Sequence, residues 1–405
     1  MRGVTMAPLI IYIGGGRCAK KVRKYIGVAC RFSVRCITFV VNLKNMTHDQ
    51  LRRIASAFAL EGRVAAIEPL GEGFINDTYI VTTEGEAPDY ILQRKNHLVF
   101  PDVPAMMDNI KAVTDHIKAK VVDPLRETLT IIPALDGKLY HEAEGGYWAV
   151  CLYIPNTVTY DRATTPELAY QGGVGIGRFQ SLLADFDRPL SQTIKGFHDI
   201  RWRFEQWDAT LAADPVGRAA EVDEEIGWIE ARREQMLDFW SRVESGEIPT
   251  RVTHNDTKIS NILFDATTRD VLCAIDLDTV MSSTALNDFG DAIRSYTNTG
   301  KEDDSDLERV EMSITMFRAY AEGYLSERRS SMTASECEWL AFSALYITFE
   351  QVLRFLMDYI DGDKYYKTTS ADHNLVRTRA QYKLLRSMEA QYEAMREIVR
   401  EILAK

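Results

Sequence analysis

The sequence lacks several features that mark whole classes of protein. Its six cysteines are scattered and include no CxxC pair, so neither a disulfide framework nor a zinc site is predicted. A basic surplus is also lacking, because the net charge is −11, whereas general nucleic-acid binders hold phosphates with clustered Lys and Arg. The apolar pieces near the N-terminus, PLIIYI and ITFVV, are too short to span a membrane. We therefore expect a cytoplasmic protein in a reducing setting, without nucleic-acid or membrane partners.

Acidic residues are lacking altogether from residues 1–45, which hold nine Lys or Arg. A transit peptide has such a composition. From Met46 onward, however, MTHDQLRRIASAFAL predicts an amphipathic helix with Thr47 as its N-cap. We therefore favour the interpretation that the natural protein begins at Met46 and that residues 1–45 are a non-native or disordered extension.

The rest of the chain changes character once. Residues 64–96 and 128–154 contain short β-branched and aromatic runs between Gly- and Pro-containing turns, including LDGK, which is typical of antiparallel strands. Residues 103–119 read as a helix, and the chain after Pro155 is mostly helical in pattern. The sequence thus predicts an α+β fold with a small β-rich N-lobe over 46–155 and a larger, mainly helical C-lobe over 156–405. A cleft between two such lobes is a common place for a ligand site.

Two patterns in the predicted C-lobe are interpreted as packing features. The run GGVGIG has no preceding strand, which favours close helix packing over a dinucleotide-binding loop. The C-terminal LLRSMEAQYEAMREIVREIL predicts a helix with one apolar face, formed by Leu385, Met388, Tyr392, Met395, Val399 and Ile402. Its repeat is too short for a convincing coiled coil, so we expect a monomer or a weak homodimer.

The most informative stretch is VTHNDTKISNILFD at 252–265. It predicts a short strand, a polar loop and a second strand, and a further apolar strand ends just before Asp276. Phosphoryl transfer by the protein-kinase scheme needs an aspartate that orients and deprotonates the attacking hydroxyl, and an asparagine and a later carboxylate that hold magnesium. Asp256 fits the first role, and Asn261 and Asp276 fit the others, with Asp278 as a further metal ligand.

The same loop offers a cation for the phosphates. Lys258, two residues after Asp256, can reach the transferring γ-phosphate. The oxygen ligands named above suit Mg²⁺, which keeps waters and substrate phosphates in its coordination shell. His254 is interpreted as a packed, hydrogen-bonded ring that steadies the loop. We therefore expect ATP and Mg²⁺ to serve a phosphotransferase reaction.

The HxDxxxxN motif, followed by a strand that ends in IDxD, resembles the aminoglycoside phosphotransferase and choline kinase superfamily of protein-kinase-like folds. The metal-binding aspartate of that superfamily lies in an ID context, so the later DFG at Asp288 is not expected to hold metal. The resemblance also implies a glycine-rich turn over the phosphates, and PLGEGFINDTYIV supplies Gly71 and Gly73 there.

The resemblance implies further nucleotide contacts. In YILQRKN, Arg94 is expected to bind the α/β-phosphates, while Lys95 on the opposite face of the strand points to solvent. Asp108 is the candidate helix carboxylate that orients this cation. The adenine is expected to bind backbone groups of the strand between the lobes, from Tyr153 to Asn156.

Several motifs look like the bacterial N-acetylhexosamine 1-kinases within that superfamily, namely GFINDTYIV, YILQRKN, YDRATTPELAYQGG, THNDTKISNILFD, AIDLDTVM, NDFGDAIR and RFLMDYIDGDKYYK. This resemblance implies ATP-dependent phosphorylation of the anomeric hydroxyl of N-acetylglucosamine or N-acetylgalactosamine, which yields a sugar 1-phosphate. The residues expected to contact the sugar are Phe74, Asn76, Arg354 and Tyr365.

Alternatives stay open on the acceptor side. Arg354 and Tyr365 either line an acceptor pocket, or Arg354 forms an internal i,i+4 ion pair with Glu350 on a solvated edge. The acceptor itself could instead be an aminoglycoside, a choline-like amino alcohol or another sugar. An inactive kinase-like binding module is a remoter alternative, and the intact Asp256 and Asn261 argue against it.

Overall fold

The computed structural model describes residues 46–71 and 75–405. The chain divides into two compact units, Met1–Arg52 and Arg53–Lys405. The described part of the first unit begins helix α1, His48–Ala55. The Gln50 N–H donates to Thr47 Oγ1 at 3.2 Å and the Thr47 N–H donates to Gln50 Oε1 at 2.9 Å, which confirms the predicted N-cap. The interpretation of residues 1–45 lies outside the described residues.

The N-lobe belongs to the second unit and is an antiparallel sheet. Its strands are β1 (Val64–Pro69), β2 (Asp77–Thr83), β3 (Tyr90–Lys95), β4 (Ile131–Ile132), β5 (His141–Ala143) and β6 (Gly146–Leu152). The order is β1-β2-β3-β6-β4, with β5 also paired to β6. The LDGK turn is present and Gly137 adopts a φ of 87° there. The strands on either side of this turn pair with β6 rather than with each other.

Helix α2 (Val103–Lys118) packs beside this sheet. Its first turn is capped by Asp102, whose Oδ1 accepts from the Ala105 N–H at 3.0 Å. The apolar side of α2 is buried in a core cluster that also contains Ala149 of β6 and Val252, Ala274 and Val280 of the C-lobe. Helix α2 therefore packs against the segments that carry the two polar loops identified in the sequence.

The C-lobe is mainly helical. Its helices are α3 (Pro166–Leu182), α4 (Ile200–Ala213), α5 (Asp223–Glu230), α6 (Arg233–Glu244), α7 (Ala285–Tyr296), α8 (Ile314–Arg328), α9 (Ala334–Asp361), α10 (His373–Ala390) and α11 (Tyr392–Leu403). Helix α9 is long and apolar enough to cross a membrane, but 89% of its most apolar window is buried inside the protein, as in a core helix. The two lobes confirm the predicted α+β bilobal fold. The boundary at residue 155 stays a prediction.

Short strands hold the polar loops of the C-lobe. They are β7 (Thr157–Val158), β8 (Arg251–Thr253), β9 (Ile262–Asp265), β10 (Val271–Ala274) and β11 (Met281–Ser283). Strand β9 lies between β10 and β7, and β8 pairs with β11. The first loop runs from β8 to β9, and the second runs from β10 to β11. Because Thr253 pairs with Met281 and Ile262 pairs with Ala274, the first loop starts beside the end of the second and ends beside its start. The predicted order of strand, loop, strand, turn and strand is confirmed.

Close helix packing explains the glycine run in α3. A side chain at Gly173 would collide with the Tyr320 carbonyl of α8, and one at Gly323 would collide with the Tyr170 carbonyl of α3. The C-terminal apolar face is also buried in the C-lobe core, but the chain breaks at Gln391 into α10 and α11 rather than forming one helix. Both packing interpretations are therefore confirmed, with this one change.

Candidate active site

The loop after β8 brings three of the predicted residues together. Asn261 Nδ2 donates to the Asp256 carbonyl at 2.9 Å and to Asp256 Oδ2 at 3.0 Å. Lys258 Nζ lies 2.9 Å from Asp256 Oδ1, and this carboxylate raises the pKa of Lys258. Both carboxylate oxygens of Asp256 are thus held in fixed positions. The Asn261 amide oxygen, the atom that a metal would need, is directed away from the nitrogen that binds Asp256.

His254 joins the two polar loops. Its ring is buried, Nδ1 accepts from the Asp256 N–H at 3.3 Å, and Nε2 lies 2.8 Å from the Ile275 carbonyl. Because Nδ1 accepts, these partners assign the proton to Nε2, which then donates to Ile275. His254 is therefore a structural ring between the loops, as its pattern predicted.

A buried carboxylate beneath the first loop was missed as a site residue. Asp288 accepts from the His254 N–H at 2.9 Å, the Asn255 N–H at 2.7 Å and Gln180 Nε2 at 2.8 Å. Burial raises its pKa, and these donors and His254 oppose that change. The sequence interpretation that Asp288 does not hold metal fits this position, since its oxygens point to backbone N–H groups. Two aspartates on one face of an otherwise apolar helix were the available signal.

The second of these aspartates, Asp291, completes the support of the loop. It accepts from the Thr257 N–H at 2.9 Å and pairs with Arg294 at 3.0 Å. Although burial alone would raise the pKa of Asp291, Arg294 and Lys258 hold it below its usual value. Helix α7 therefore carries two carboxylates that fix the backbone on both sides of Asp256.

Asp276 has the properties expected of a metal ligand. It is a non-glycine residue in the left-handed region, with φ 56° and ψ 55°, and such strain is concentrated at functional sites. Although the Asp276 side chain is exposed, desolvation by the surrounding protein and the Asp278 carboxylate raise its pKa, an effect that a bound cation would offset. The described residues contain no group of three or more His, Cys, Asp or Glu arranged to hold a metal. Mg²⁺ needs fewer protein ligands than that, because it binds through one or two protein oxygens together with substrate phosphates. The pair of Asp276 and Asn261 fits that requirement.

Asp278 is placed differently from the predicted metal ligand. Its Oδ1 lies 2.7 Å from Lys95 Nζ, and its Oδ2 accepts from Asn76 Nδ2 at 2.7 Å. Asn76, expected to contact sugar, is buried, and its Oδ1 accepts from the Asn96 N–H at 3.1 Å. Asp278 of the C-lobe thus binds both Asn76 and Lys95 of the N-lobe. Their predicted roles at metal and sugar do not fit these contacts.

The two cations of β3 face the opposite way from the prediction. Lys95 is 4% exposed and points to Asp278, so the expectation that it faces solvent is wrong. Arg94 lies on the other face, over the Trp148 ring at 5.9 Å, with its guanidinium packed where a side chain on Gly146 would lie. The alternation along β3 was correct, but alternation alone does not tell which face meets the cleft.

Asp108 does not orient either cation. It is exposed on α2. The next residue, Asn109, is buried and donates from Nδ2 to the Val280 carbonyl at 3.0 Å and the Ser191 carbonyl at 2.8 Å. The prediction for Asp108 is wrong because the helix turns this position outward.

The remaining nucleotide predictions are placed as follows. Gly71 has a φ of 68°, as a glycine turn requires, whereas Gly73 and Phe74 lie outside the described residues. The Tyr153 N–H already donates to the Asp89 carbonyl at 2.9 Å, and the Asn156 carbonyl accepts from the Ala266 N–H at 2.9 Å. These two backbone groups are therefore engaged within the protein.

Arg354 and Tyr365 line one cavity of about 320 Å³ in the C-lobe, together with Arg203, Gln206, Asp358 and Tyr366 among others. The Arg354 guanidinium lies 5.7 Å from the Tyr365 and Tyr366 ring centres and 5.8 Å from that of Phe197. The predicted alternative, an ion pair with Glu350, is not formed. Of the two interpretations of Arg354, the structure thus favours the pocket.

Glu350 instead connects this cavity to the loop that carries Asp256. Its carboxylate lies 2.6 Å from His198 Nδ1 and 3.3 Å from Arg203 Nε. His198 Nε2 lies 3.4 Å from the carbonyl of Asn255, the residue before Asp256. Although burial would raise the pKa of Glu350, His198 and Arg203 lower it to about 2. The cavity wall and the loop of Asp256 are thus joined by a buried polar chain.

The fold and this loop define a kinase-like phosphotransferase. A model of the phosphotransferase enzyme family matches residues 66–329, and the chain belongs to that family. An aminoglycoside phosphotransferase from Alicyclobacillus acidocaldarius is similar in structure, with a TM-score of 0.56, 12% identity, and coverage of 86% of this chain and 96% of that one. Spectinomycin phosphotransferase, solved with ADP and spectinomycin, has a TM-score of 0.55 and 13% identity over 86% and 99% of the two chains. Choline kinase from Cryptosporidium parvum has a TM-score of 0.52 and 12% identity, with coverage of 84% of this chain and 93% of that one. At these identities the likeness to the solved structures concerns the fold.

Proposed function

We propose that this protein is an ATP-dependent kinase that phosphorylates the anomeric hydroxyl of an N-acetylhexosamine to give the sugar 1-phosphate. One observation carries the phosphoryl-transfer part: Asp256 is fixed by Asn261 and Lys258, in a loop hydrogen-bonded to the segment that ends at Asp276. This is the arrangement that a base, a phosphate cation and a metal pair require. Similar proteins solved with ADP are consistent with a nucleotide donor.

In this proposal Asp256 orients the sugar O1 and accepts its proton, while O1 forms a bond to the γ-phosphorus and the bond from that phosphorus to the ADP oxygen breaks. Lys258 contacts the transferring phosphoryl group. Asn261 and Asp276 would hold Mg²⁺, which neutralises charge on the phosphates when bound. The contribution of the protein is mainly positioning and charge stabilisation.

The nucleotide contacts are revised from those that the sequence suggested. Lys95 replaces Arg94 as the proposed α/β-phosphate cation, because Lys95 is the β3 cation directed toward Asp278. Gly71 supports the turn above the phosphates. Since the Tyr153 N–H is engaged by Asp89, we assign adenine recognition to the Tyr153 carbonyl and the Ile154 N–H.

The acceptor assignment rests on the surroundings of Arg354. Among the residues that the structure describes, no carboxylate lies within ion-pair distance of its guanidinium, which is enclosed by three aromatic rings. Gln351 Oε1 accepts from Arg354 Nη1 at 3.4 Å, and a partly buried guanidinium needs acceptors for its remaining N–H groups. The carbonyl oxygen of an acetamido group supplies one, and the neighbouring Tyr365 ring supplies an apolar surface for the sugar.

The carboxylates near the cavity do not favour a cationic acceptor. Asp358 already accepts from the Tyr365 N–H at 2.8 Å and from Asn374 Nδ2 at 2.8 Å. Asp361 pairs with Lys364 at 2.6 Å. Glu350, the carboxylate that interacts with Arg354 at longer range, is paired with His198 and Arg203. Because these charges are used internally, while no carboxylate in the described part of the chain lies within ion-pair distance of Arg354, a protonated amine would be repelled.

A matched pair of acceptors tests this assignment. N-acetylglucosamine and glucosamine differ only in the acyl group, and glucosamine is mostly cationic near neutral pH. We expect kcat/KM to favour N-acetylglucosamine, and Arg354→Met to lower this preference at least about tenfold. Arg377→Met is the control, since Arg377 contacts the same Tyr366 ring but lies outside the cavity lining. Turnover of glucosamine or choline in preference to the acylated sugar would overturn the acceptor assignment and leave the phosphotransferase.

A further inference from the structure

Lys95 obtains its carboxylate partner from the C-lobe and not from helix α2. Its ammonium lies 2.7 Å from Asp278 Oδ1 and donates to Gln93 Oε1 at 2.7 Å. Asp108, the carboxylate on α2 that was expected to orient the cation, is exposed. An ammonium group has three N–H donors, so these two contacts leave one for a phosphate oxygen.

Asp278 is poorly suited to bind metal in this arrangement. Both of its oxygens are engaged, one by Lys95 and the other by Asn76. The side chains of Lys95 and Asp278 are only 4% and 5% exposed. A charged pair with so little contact with water is held firmly, because separating it would leave two unpaired buried charges.

Asp278 also shares a turn with the proposed metal ligand. The 3₁₀ turn Leu277–Thr279 follows Asp276 directly, and the Asn255 side chain donates to the Thr279 carbonyl at 2.8 Å. Asn76, which donates to the other oxygen of Asp278, directly precedes β2. A single carboxylate therefore connects the phosphate cation, the start of β2 and the metal segment.

We propose that Asp278 is the positioning residue for Lys95, in place of a helix carboxylate, and that it does not hold the metal. Asp278 fixes the ammonium so that its remaining N–H meets the α/β-phosphates. Through the shared turn, Asp278 also ties the placement of Lys95 to that of Asp276. This inference rests on the proposed use of ATP.

Nucleotide binding in the absence of metal separates the two roles of Asp278. With the full chain in EDTA, we expect Asp278→Asn and Lys95→Gln each to weaken ATP binding by about tenfold in calorimetry. The double variant should lose no more affinity for ATP than the weaker-binding single variant, because both substitutions disrupt the same Lys95–Asp278 ion pair. Asp276→Asn should leave metal-free ATP binding near that of wild type and raise the Mg²⁺ concentration needed for half-maximal activity. Asp136→Asn, a change in an exposed turn, is the control for both readouts.

The same set of variants also serves as a control for effects on folding. Asp278→Asn leaves a buried ammonium without its partner, whereas the Lys95→Gln, Asp278→Asn double variant is neutral at both positions and should melt at a higher temperature than the single Asp278 variant. If Asp278→Asn binds metal-free ATP normally but needs several-fold more Mg²⁺, Asp278 is a metal ligand and the proposal is wrong. If wild type binds no nucleotide with or without Mg²⁺, the proposed function fails and this inference with it.

Discussion

Glu350 allows a quantitative prediction about acid stability. Its side chain is 1% exposed and is bound by His198 and Arg203. Against the effect of burial, these partners lower the pKa of Glu350 to about 2, compared with about 4.3 in an unfolded chain. Because the folded-state pKa is the lower one, the ionised carboxylate stabilises the fold above about pH 4.3, and this contribution is lost as the pH falls toward 2. The lowered pKa corresponds to about 3 kcal/mol at pH 7 and to about half of that at pH 3.

The assay is urea unfolding of wild type and Glu350→Gln at several pH values. We expect the difference in free energy of unfolding to be about 3 kcal/mol at pH 7 and pH 5 and to shrink by about half at pH 3. Since Arg203 lines the cavity, Glu350→Gln should also raise KM for the acceptor. Glu225→Gln is the control, because Glu225 is buried and paired with Arg379 at 2.7 Å but lies outside the cavity lining; its acceptor KM should stay unchanged. A stability difference that is the same at pH 3 as at pH 7 would show that ionised Glu350 does not stabilise the fold through His198 and Arg203.

Three further predictions follow from the packing and from the catalytic loop. Gly173→Ala should lower the free energy of unfolding by at least about 2 kcal/mol, because the new methyl group meets the Tyr320 carbonyl. Gly227→Ala, in open space on α5, should raise the free energy of unfolding by about 0.5 kcal/mol. Equal melting temperatures for the two variants would contradict this prediction. Asp288→Asn should lower the free energy of unfolding by about 2 kcal/mol or more and lower kcat, because the new amide group faces backbone N–H donors. Urea unfolding and steady-state kinetics measure these two effects. Wild-type values in both assays would contradict the proposed support of the loop. Lys258→Met should lower kcat at least about 100-fold with little change in acceptor KM, whereas a change confined to KM would remove Lys258 from the transition state.

Local patterns in the sequence were sufficient to predict the loop of Asp256 and the strands on both sides of it. Asp256, Lys258 and Asn261 lie within six residues of one another, so their proximity follows from a single turn. The strands on both sides have short β-branched runs, and the structure confirms them. The glycine run in α3 was also readable, because the absence of a preceding strand leaves helix packing as its explanation.

Contacts between distant segments were not readable in the same way. Alternation along β3 separates Arg94 from Lys95, but which face meets the cleft depends on how the whole sheet packs. The partner of Lys95 lies 183 residues away along the chain, and no local pattern distinguishes Asp278 from an ordinary neighbour of Asp276. Glu350 was expected to pair with Arg354 of its own helix, but it pairs with His198 and Arg203 of another segment.

The central claim is that Asp256 is the base of an ATP-dependent sugar kinase. The most direct measurement is ADP release by the full chain with ATP, Mg²⁺ and N-acetylglucosamine or N-acetylgalactosamine, with the phosphate located by NMR. Asp256→Asn is compared with Asp270→Asn, a control in the exposed turn between β9 and β10. We expect a sugar 1-phosphate from wild type and the control, and at least about a 1,000-fold lower rate for Asp256→Asn. Undiminished turnover by Asp256→Asn, or phosphate on a different hydroxyl, would contradict it.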